Sequence, residues 1–591
     1  MQMKIPSNPR LRTWTAIAAV IVTVAILCPA PTYATDTQWT RDDAAHLLRR
    51  AGFGGTPTQI DAIHALGRDG AVDYLVTGKL PSGVEAPFAH VELPPLVFSL
   101  DTDARVQGPA TLYSLQQMKI WWLDRMVRSD RPLEEKMTLF WHGLFTSGIR
   151  EVRTVDWLAN QNALFHREAI GNYKRLTHEI IHDPAMLKYL NNDENLKGRP
   201  NENLARELME LFTMGEGNGY TEKDIPEVAR ALTGMTGRRF KGIRSQERNG
   251  ASFGKAEFVE RMHDDGPKTI FGKTGNFKPD DVVDLIFDQP QPSGYLAKRL
   301  WQFFGNPSPS DEEIAPVAEA LKNGNWDLAP ALRALFTSPA FYGERSNLVI
   351  IKSPVELEAG TLRLLEEPSQ PRMLGAGVFA MNQLGQQLFE PPNVKGWPGG
   401  EHWMTSSAVF LRYNIAFAMA NGMLGQNIGR FGFGGGGKGV KAAKPATQPA
   451  ASPGEVAKAD SARASATPEA VKGKRGDAAT IEARQARIKA IRQEQAEKIR
   501  DEIAKLPPLP SPDQMVVPSK LFAALGKDPT PAQIVDAAIA RFVQQPLAAD
   551  KKATLTEALG SSPLKLGESE SDGRVRKMIG LLLSTPEYQV E

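Results

Sequence analysis

Apolar residues recur every three to four positions from Asp36 to about Gly422, the period of helices with one buried face. In "RPLEEKMTLFWHGLF", Leu133, Met137, Phe140, Trp141 and Leu144 fall at i, i+4, i+7, i+8 and i+11, and Pro132 suits a first helical turn. "TRDDAAHLLRRAGFG" reads as a complete helix. Thr40 can cap it, Asp42 and Asp43 suit its positive end, Arg49 and Arg50 its negative end, and Gly52 and Gly54 stop it. The same period predicts helices over 156–180, 201–214, 222–235, 280–288, 311–322, 328–337 and 374–389. Strand-like alternation is scarce, and its best instance, 253–271, predicts a hairpin turning about "DDGP". The expected fold is mainly α, a large multi-helix domain with one small β-hairpin insert.

The pattern fails at about Phe431. Gly, Ala, Pro and Lys dominate from there to 478, a composition that predicts a disordered linker. A charged amphipathic helix is expected over 479–507, where Ile481, Ile488, Ile491, Ile499 and Ile503 form a thin stripe. It reads either as a solvated helix or as one that docks a partner. The globular pattern then returns, and 508–591 is expected to pack as a C-terminal helical segment on the main domain, 35–430. Its tail "LLLSTPEYQ" echoes "RALFTSPAFYG": a helix stopped before Pro, then an aromatic able to pin the turn to the core.

The first residues change the picture of where the protein works. Lys4, Arg10 and Arg12 precede an uncharged stretch from Trp14 to Leu27, and "PTYA" follows, so 1–34 reads as a secretory signal peptide. The expected protein is exported, periplasmic or secreted, with no integral membrane span after cleavage. Cys28, the only cysteine, lies in that segment, which excludes thiol catalysis and cysteine metal sites from the mature chain. A net charge of +2 argues against a nucleic-acid binder, while 41% hydrophobic residues can build a sizeable core.

Three stretches carry candidate chemistry. In "RPNENLARELMELFTMG", Leu204, Leu208, Leu211 and Phe212 share one helical arc; Glu202, Asn203, Arg206, Glu207 and Glu210 share the opposite one, with Asn201 just before. Arg206 is four residues from both Glu202 and Glu210 and can bridge them. Such a face is either a solvated charge ladder or a buried, paired centre. Thr221 and Asp224 form a capping box for the next helix. The second stretch supplies His263, Asp264 and Lys268, and with His182 and Asp183 gives two His-Asp doublets. Read as ligands they would hold a divalent metal; read as a turn, the aspartates satisfy local amides. In the third, "FEPPNVKGWPGGEHW", Asn393, Lys395, Trp397 and Trp403 lie in a loop able to contact a flat or sugar-like ligand, or simply to anchor itself. No Walker loop is present.

"HLLRRAGFG", "FWHGLFTS", "NENLARELMELFTMG", "YTEKDI", "ARALTGM", "HDDGPKTIFG", "IKSPVEL", "GQQLFEPPNVKGWPGG" and "LLLSTPEYQ" occur in that order. In this the chain resembles the bacterial family catalogued as domain of unknown function eighteen-hundred, over about 40–425 and again over 519–591. The resemblance implies an exported, mainly helical protein with no established activity or cofactor. It also implies, as a possible partner class, a second exported, sulfatase-like family. With the resemblance centred on the polar helix, that face is expected to be buried against the His142 and His263 segments, Asn203, Arg206 and Glu207 facing His263 and Asp264. The expected function is that of a non-enzymatic scaffold or binding protein, with no cofactor. The alternative is a metal-dependent hydrolase built from His142, His182, Asp183, Glu207, His263 and Asp264.

Overall fold

The computed structural model describes residues 39–80, 82–92, 109–236, 256–366, 371–421 and 516–591. The expected signal peptide, linker and charged helix, 1–34, 431–478 and 479–507, lie outside them. The described residues are dominated by helices, in chain order α1 (Arg41–Arg50), α2 (Pro109–Arg128), α3 (Pro132–Leu144), α4 (Val155–Arg167), α5 (Tyr173–Ile181), α6 (Asn203–Glu207) and α7 (Asp224–Ala231) among the first. Later ones include α8 (Pro279–Phe287), α9 (Pro354–Leu364), α10 (Pro371–Gln383), α11 (Ser406–Ala420) and α12 (Ser569–Leu583).

Local chemistry sets many of the helix starts. Ser310 and Ser353 each accept from the amide three residues on, while Glu313 and Glu356 reach back to the cap amide, two reciprocal capping boxes. Pro132, Pro279 and Pro354 occupy first-turn positions, where a missing N–H costs nothing. The helix expected over 156–180 is two helices. Asn172 caps α5 by accepting from Arg175 N, and the break is held by Tyr173 N donating to Trp326 O at 2.9 Å and Leu328 N to Gly171 O at 3.0 Å. Tertiary pairing overrides a continuous helical pattern there.

The β structure also differs from expectation. β1 (Met235–Thr236) pairs with β2 (Glu257–Phe258), and β3 (Lys268–Ile270) with β4 (Lys273–Gly275), both antiparallel. The tight turn falls at Phe271 and Gly272, with φ of 48° and 76°, not at "DDGP". Two consecutive left-handed residues match the twist of a two-residue hairpin. "DDGP" is instead a loop in which Asp264 accepts from Gly266 N.

One core joins α2, α9, α10, α11 and α12, and residues Val516 to Tyr588 contribute to it. The C-terminal segment therefore packs on the main body. Residues 350–352 and 589–591 form a short bridge in which Glu591 N donates to Ile350 O at 2.8 Å and Lys352 N to Gln589 O at 2.9 Å. The echoed aromatics act alike. Phe341 is buried against the His46 ring, and Tyr588 is buried with its hydroxyl 2.7 Å from Thr361 Oγ1.

Around this bridge the core is charged. Arg50 Nη1 meets Glu591 Oε1 at 2.5 Å, and Lys136 Nζ meets Glu356 at 2.7 Å and Glu591 at 3.3 Å, all four side chains buried. The remaining Arg50 donors go to the carbonyls of Phe303 and Phe304, at 2.7 and 2.8 Å. Arg412, fully buried, donates to Trp403 O, Gln589 Oε1 and Lys352 O. Burial alone would raise Glu356, but Lys136 and Arg50 outweigh it and hold the carboxyl at about 2. Glu358 has no such neighbour at hydrogen-bond distance. Among the described residues its two buried oxygens find no hydrogen-bond partner, and burial pushes it up to about 8, only partly offset by Arg412.

Candidate functional site

The site is built from the end of α3, the turn after α6, and the loop that precedes α11. His142 is buried near the C-terminal end of α3, its ring centroid 5.3 Å from Trp122, 5.0 Å from Phe389 and 5.4 Å from Trp397. Its Nε2 accepts from Phe389 N at 3.0 Å, which leaves the ring proton on Nδ1. Burial, with Lys119 nearby, drives its pKa down to about 3, so the ring is a neutral acceptor. Phe389 sits at φ 63°, an unusual conformation for a bulky residue. It is held by that bond and by Ile149 N donating to its carbonyl at 2.9 Å.

From Phe389 the chain runs into the Trp397 loop, which is rooted on α3. Thr146 Oγ1 donates to Val394 O at 2.7 Å. Gly396 has φ 77°, and a Cβ there would lie 2.6 Å from Gly143 O, so only glycine fits. Glu390 pairs with Lys119 at 2.7 Å. Asn393 closes its turn by accepting from Lys395 N at 2.9 Å. Trp403 is buried and anchors the loop, Trp397 is half-buried, and Asn393 and Lys395 are exposed.

The polar helix is short. After α6 the chain continues as a π-helix, Leu208–Thr213, in which Met214 N bonds to Met209 O at 2.9 Å. The wider turn frees carbonyls, and two tyrosines take them: Tyr173 OH donates to Phe212 O at 2.5 Å and Tyr295 OH to Leu211 O. Single π turns inside helices recur at functional sites. Here the turn sits directly after Glu207.

Glu207 is half-buried, and burial, then Glu210, raises its carboxyl while Lys395 lowers it. Lys395 also lies 4.0 Å from Glu216, both largely exposed. Tyr189 joins this face from below. Its ring lies against Gly148, and burial and Glu151 push its hydroxyl up to about 12, partly offset by its hydrogen-bond contact with the Thr146 side chain. Glu151, Tyr189, Glu207, Glu210, Glu216 and Lys395 thus share one polar face.

The rest of the expected polar centre is arranged differently. Arg206 bonds Glu210 at 3.0 Å and Glu222 at 3.1 Å and lies 3.7 Å from Glu202, with 35% of its side chain exposed. The buried seam expected there is a half-solvated ladder, because its second carboxylate comes from the exposed 222 turn. Asn201 and Asn203 serve the helix start: Asn203 N donates to Asn201 Oδ1 at 3.0 Å. Thr221 N and Oγ1 both donate to Asp224, whose other oxygen accepts from Phe271 N.

His263 and Asp264 attach to α7 and not to the face of α6. Arg230 grips Asp264 at 2.9 and 3.1 Å, which holds that carboxyl at about 2. His263 Nδ1 faces Thr233 O at 3.0 Å. Lys268 is spent on Gly266 O and Asn276 Oδ1, at 3.0 and 3.1 Å, and on Asp264 O. The other doublet splits. His182 Nε2 faces Asp280 at 2.9 Å, whereas Asp183 turns inward, accepting from Met186 N and Gln161 Nε2 and raised to about 7 by burial. Among the described residues no three His, Cys, Asp or Glu side chains are already set around an ion position.

Sequence reasoning missed Asn192 and Asn195, a buried pair bonded at 2.9 Å that holds Ala229 O and Leu232 O of the α7 end and, through Asn195 Oδ1, Asn201 N. The Asn-rich run "NNDEN" was the available signal.

A family model described as "Protein of unknown function (DUF1800)" matches residues 46–590. The chain belongs to the DUF1800 family. No curated protein and no solved structure matches it. For this DUF1800 member the functional reading therefore rests on the site.

Proposed function

We propose that the protein is an exported, non-enzymatic binding or scaffold protein that engages its partner through the face shared by Glu151, Tyr189, Glu207, Glu210, Glu216 and the loop tip at Asn393 and Lys395. One observation carries the reading. The Trp397 loop is fixed at its root by Gly396 on Gly143 and Thr146 on Val394, yet presents exposed Asn393 and Lys395 at its tip. A rigid root under a polar tip suits recognition, since little ordering entropy is lost on contact.

The hydrolase alternative needs His142, His182, Asp183, Glu207, His263 and Asp264 at one point. Their hydrogen bonds go instead to Phe389, Asp280, Met186, Thr233 and Arg230, while Glu207 borders the loop. The sulfatase-like exported family that the resemblance implies is the first partner to test. Among the described residues no helix is long and apolar enough to cross a membrane.

A photo-crosslinking residue placed at 395 or 393 in the producing cell should give a discrete protein adduct in the exported fraction. Glu207→Lys should abolish it, and the same probe at exposed Lys322 should not form it. Equal adducts at 322, or none at 395 and 393, would sink the reading.

A further inference from the structure

We propose that His178, His182 and Asp280 form a site for a divalent transition-metal ion, Zn²⁺ foremost, on the outer face of the α5–α8 helix pair. His178 and His182 are the two histidines of an HExxH string, HEIIH, with His178 on α5 and His182 the residue that ends it. Asp280 and Asp284 lie four apart on α8, so two helices present two rows of ligand-type side chains. Both imidazoles converge on one oxygen: His178 Nδ1 lies 3.1 Å and His182 Nε2 2.9 Å from Asp280 Oδ1. Four-coordinate zinc, with bonds of about 2.0 Å, sets its ligand atoms roughly 3.3 Å apart. The separations at Asp280 are within a few tenths of an ångström of that edge.

The charges around the cluster point the same way. His178 faces carboxylates with both ring nitrogens, since Nε2 lies 3.3 Å from Asp284 Oδ1. A neutral imidazole has one N–H, so one of those contacts sets lone pair against lone pair unless positive charge arrives. Lys174 answers Asp284 at 2.7 Å, whereas Asp280 has only the two imidazoles. An ion at Asp280 would exchange the hydrogen bonds there for metal bonds, with small rotations of two side chains that keep about a quarter of their surface in solvent. Water would complete the coordination. As placed, these donors bond one another, so the ion would organise the site rather than find it ready.

The test uses the mature chain, purified without a histidine tag, stripped with chelator and titrated calorimetrically with zinc chloride. The expected result is one equivalent bound per chain and a raised melting temperature. His178→Gln and His182→Gln should each weaken binding at least about tenfold while leaving the unfolding of metal-free protein unchanged by circular dichroism. Asp284→Asn should keep the one-to-one stoichiometry. No uptake, or uptake that survives both histidine substitutions, would show that the cluster is a salt-bridge array and nothing more.

Discussion

Replacing Lys136 by methionine should lower the unfolding free energy by about 3–5 kcal/mol, the cost of stranding buried charge whose partner is removed. Lys136 Nζ sits between Glu356 and Glu591 with no exposed surface, over the rings of Phe53 and Phe303 at 5.2 and 5.8 Å from their centroids. Methionine keeps the stem and deletes the cation. Glu591 still has Arg50, so Glu356 bears most of the loss, and Lys136→Met/Glu356→Gln should recover much of it. Urea unfolding at pH 7 measures both. A drop below about 1 kcal/mol in the single variant would mean that the quartet is not buried as described.

Glu358→Gln should stabilise the protein, but only above mildly acidic pH. Burial pushes the folded carboxyl up to about 8, above the ordinary glutamate value of 4.5. The folded state therefore holds a proton that the unfolded chain releases between those values. Stability associated with that proton is fully present below the unfolded pKa and is lost as pH rises through about 8. Glutamine is neutral throughout. Its advantage should be near zero at pH 4, where both forms are uncharged, and grow to about 2–4 kcal/mol by pH 8.5. Lys352, lowered to about 7 by burial, tilts the other way: its contribution is lost as pH falls from the ordinary lysine value towards 7. That slope is common to both proteins and cancels in the difference. Equal differences at pH 4 and 8.5 would contradict the account.

These two sites show where the sequence stopped being legible. Helices with a full apolar face were readable, and 328–337 matches Leu328–Thr337 residue for residue, because periodicity records burial directly. Charge burial leaves no such record. Arg49 and Arg50 read naturally as residues complementing a helix end, yet Arg50 is fully buried against a partner 541 positions away. The hairpin was misplaced because its turn uses Phe271 at φ 48°, which no turn-residue rule selects.

The candidate site was half legible for a related reason. The loop around Trp397, the polar helix and the His142 segment were each identifiable by composition, but not which of them meet. From sequence, His263 and Asp264 are expected to face the polar helix, and Lys395 is expected only in the ligand-contact loop. Arg230 holds Asp264 at α7, while Glu207 borders the loop at Lys395. The π turn after Glu207 was invisible, since its cause is two tyrosine hydroxyls from elsewhere in the chain.

Titration of Glu207 tests most directly whether the polar helix and the Trp397 loop share one face. Its carboxyl, followed by carbon-detected NMR on selectively labelled protein, should titrate above the ordinary glutamate value, because burial outweighs the nearby cations. In Lys395→Met it should move higher still, since the ammonium that favours the charged form is gone. An ordinary value in the native protein, or one indifferent to position 395, would mean that the two elements do not meet and that the proposed binding face does not exist.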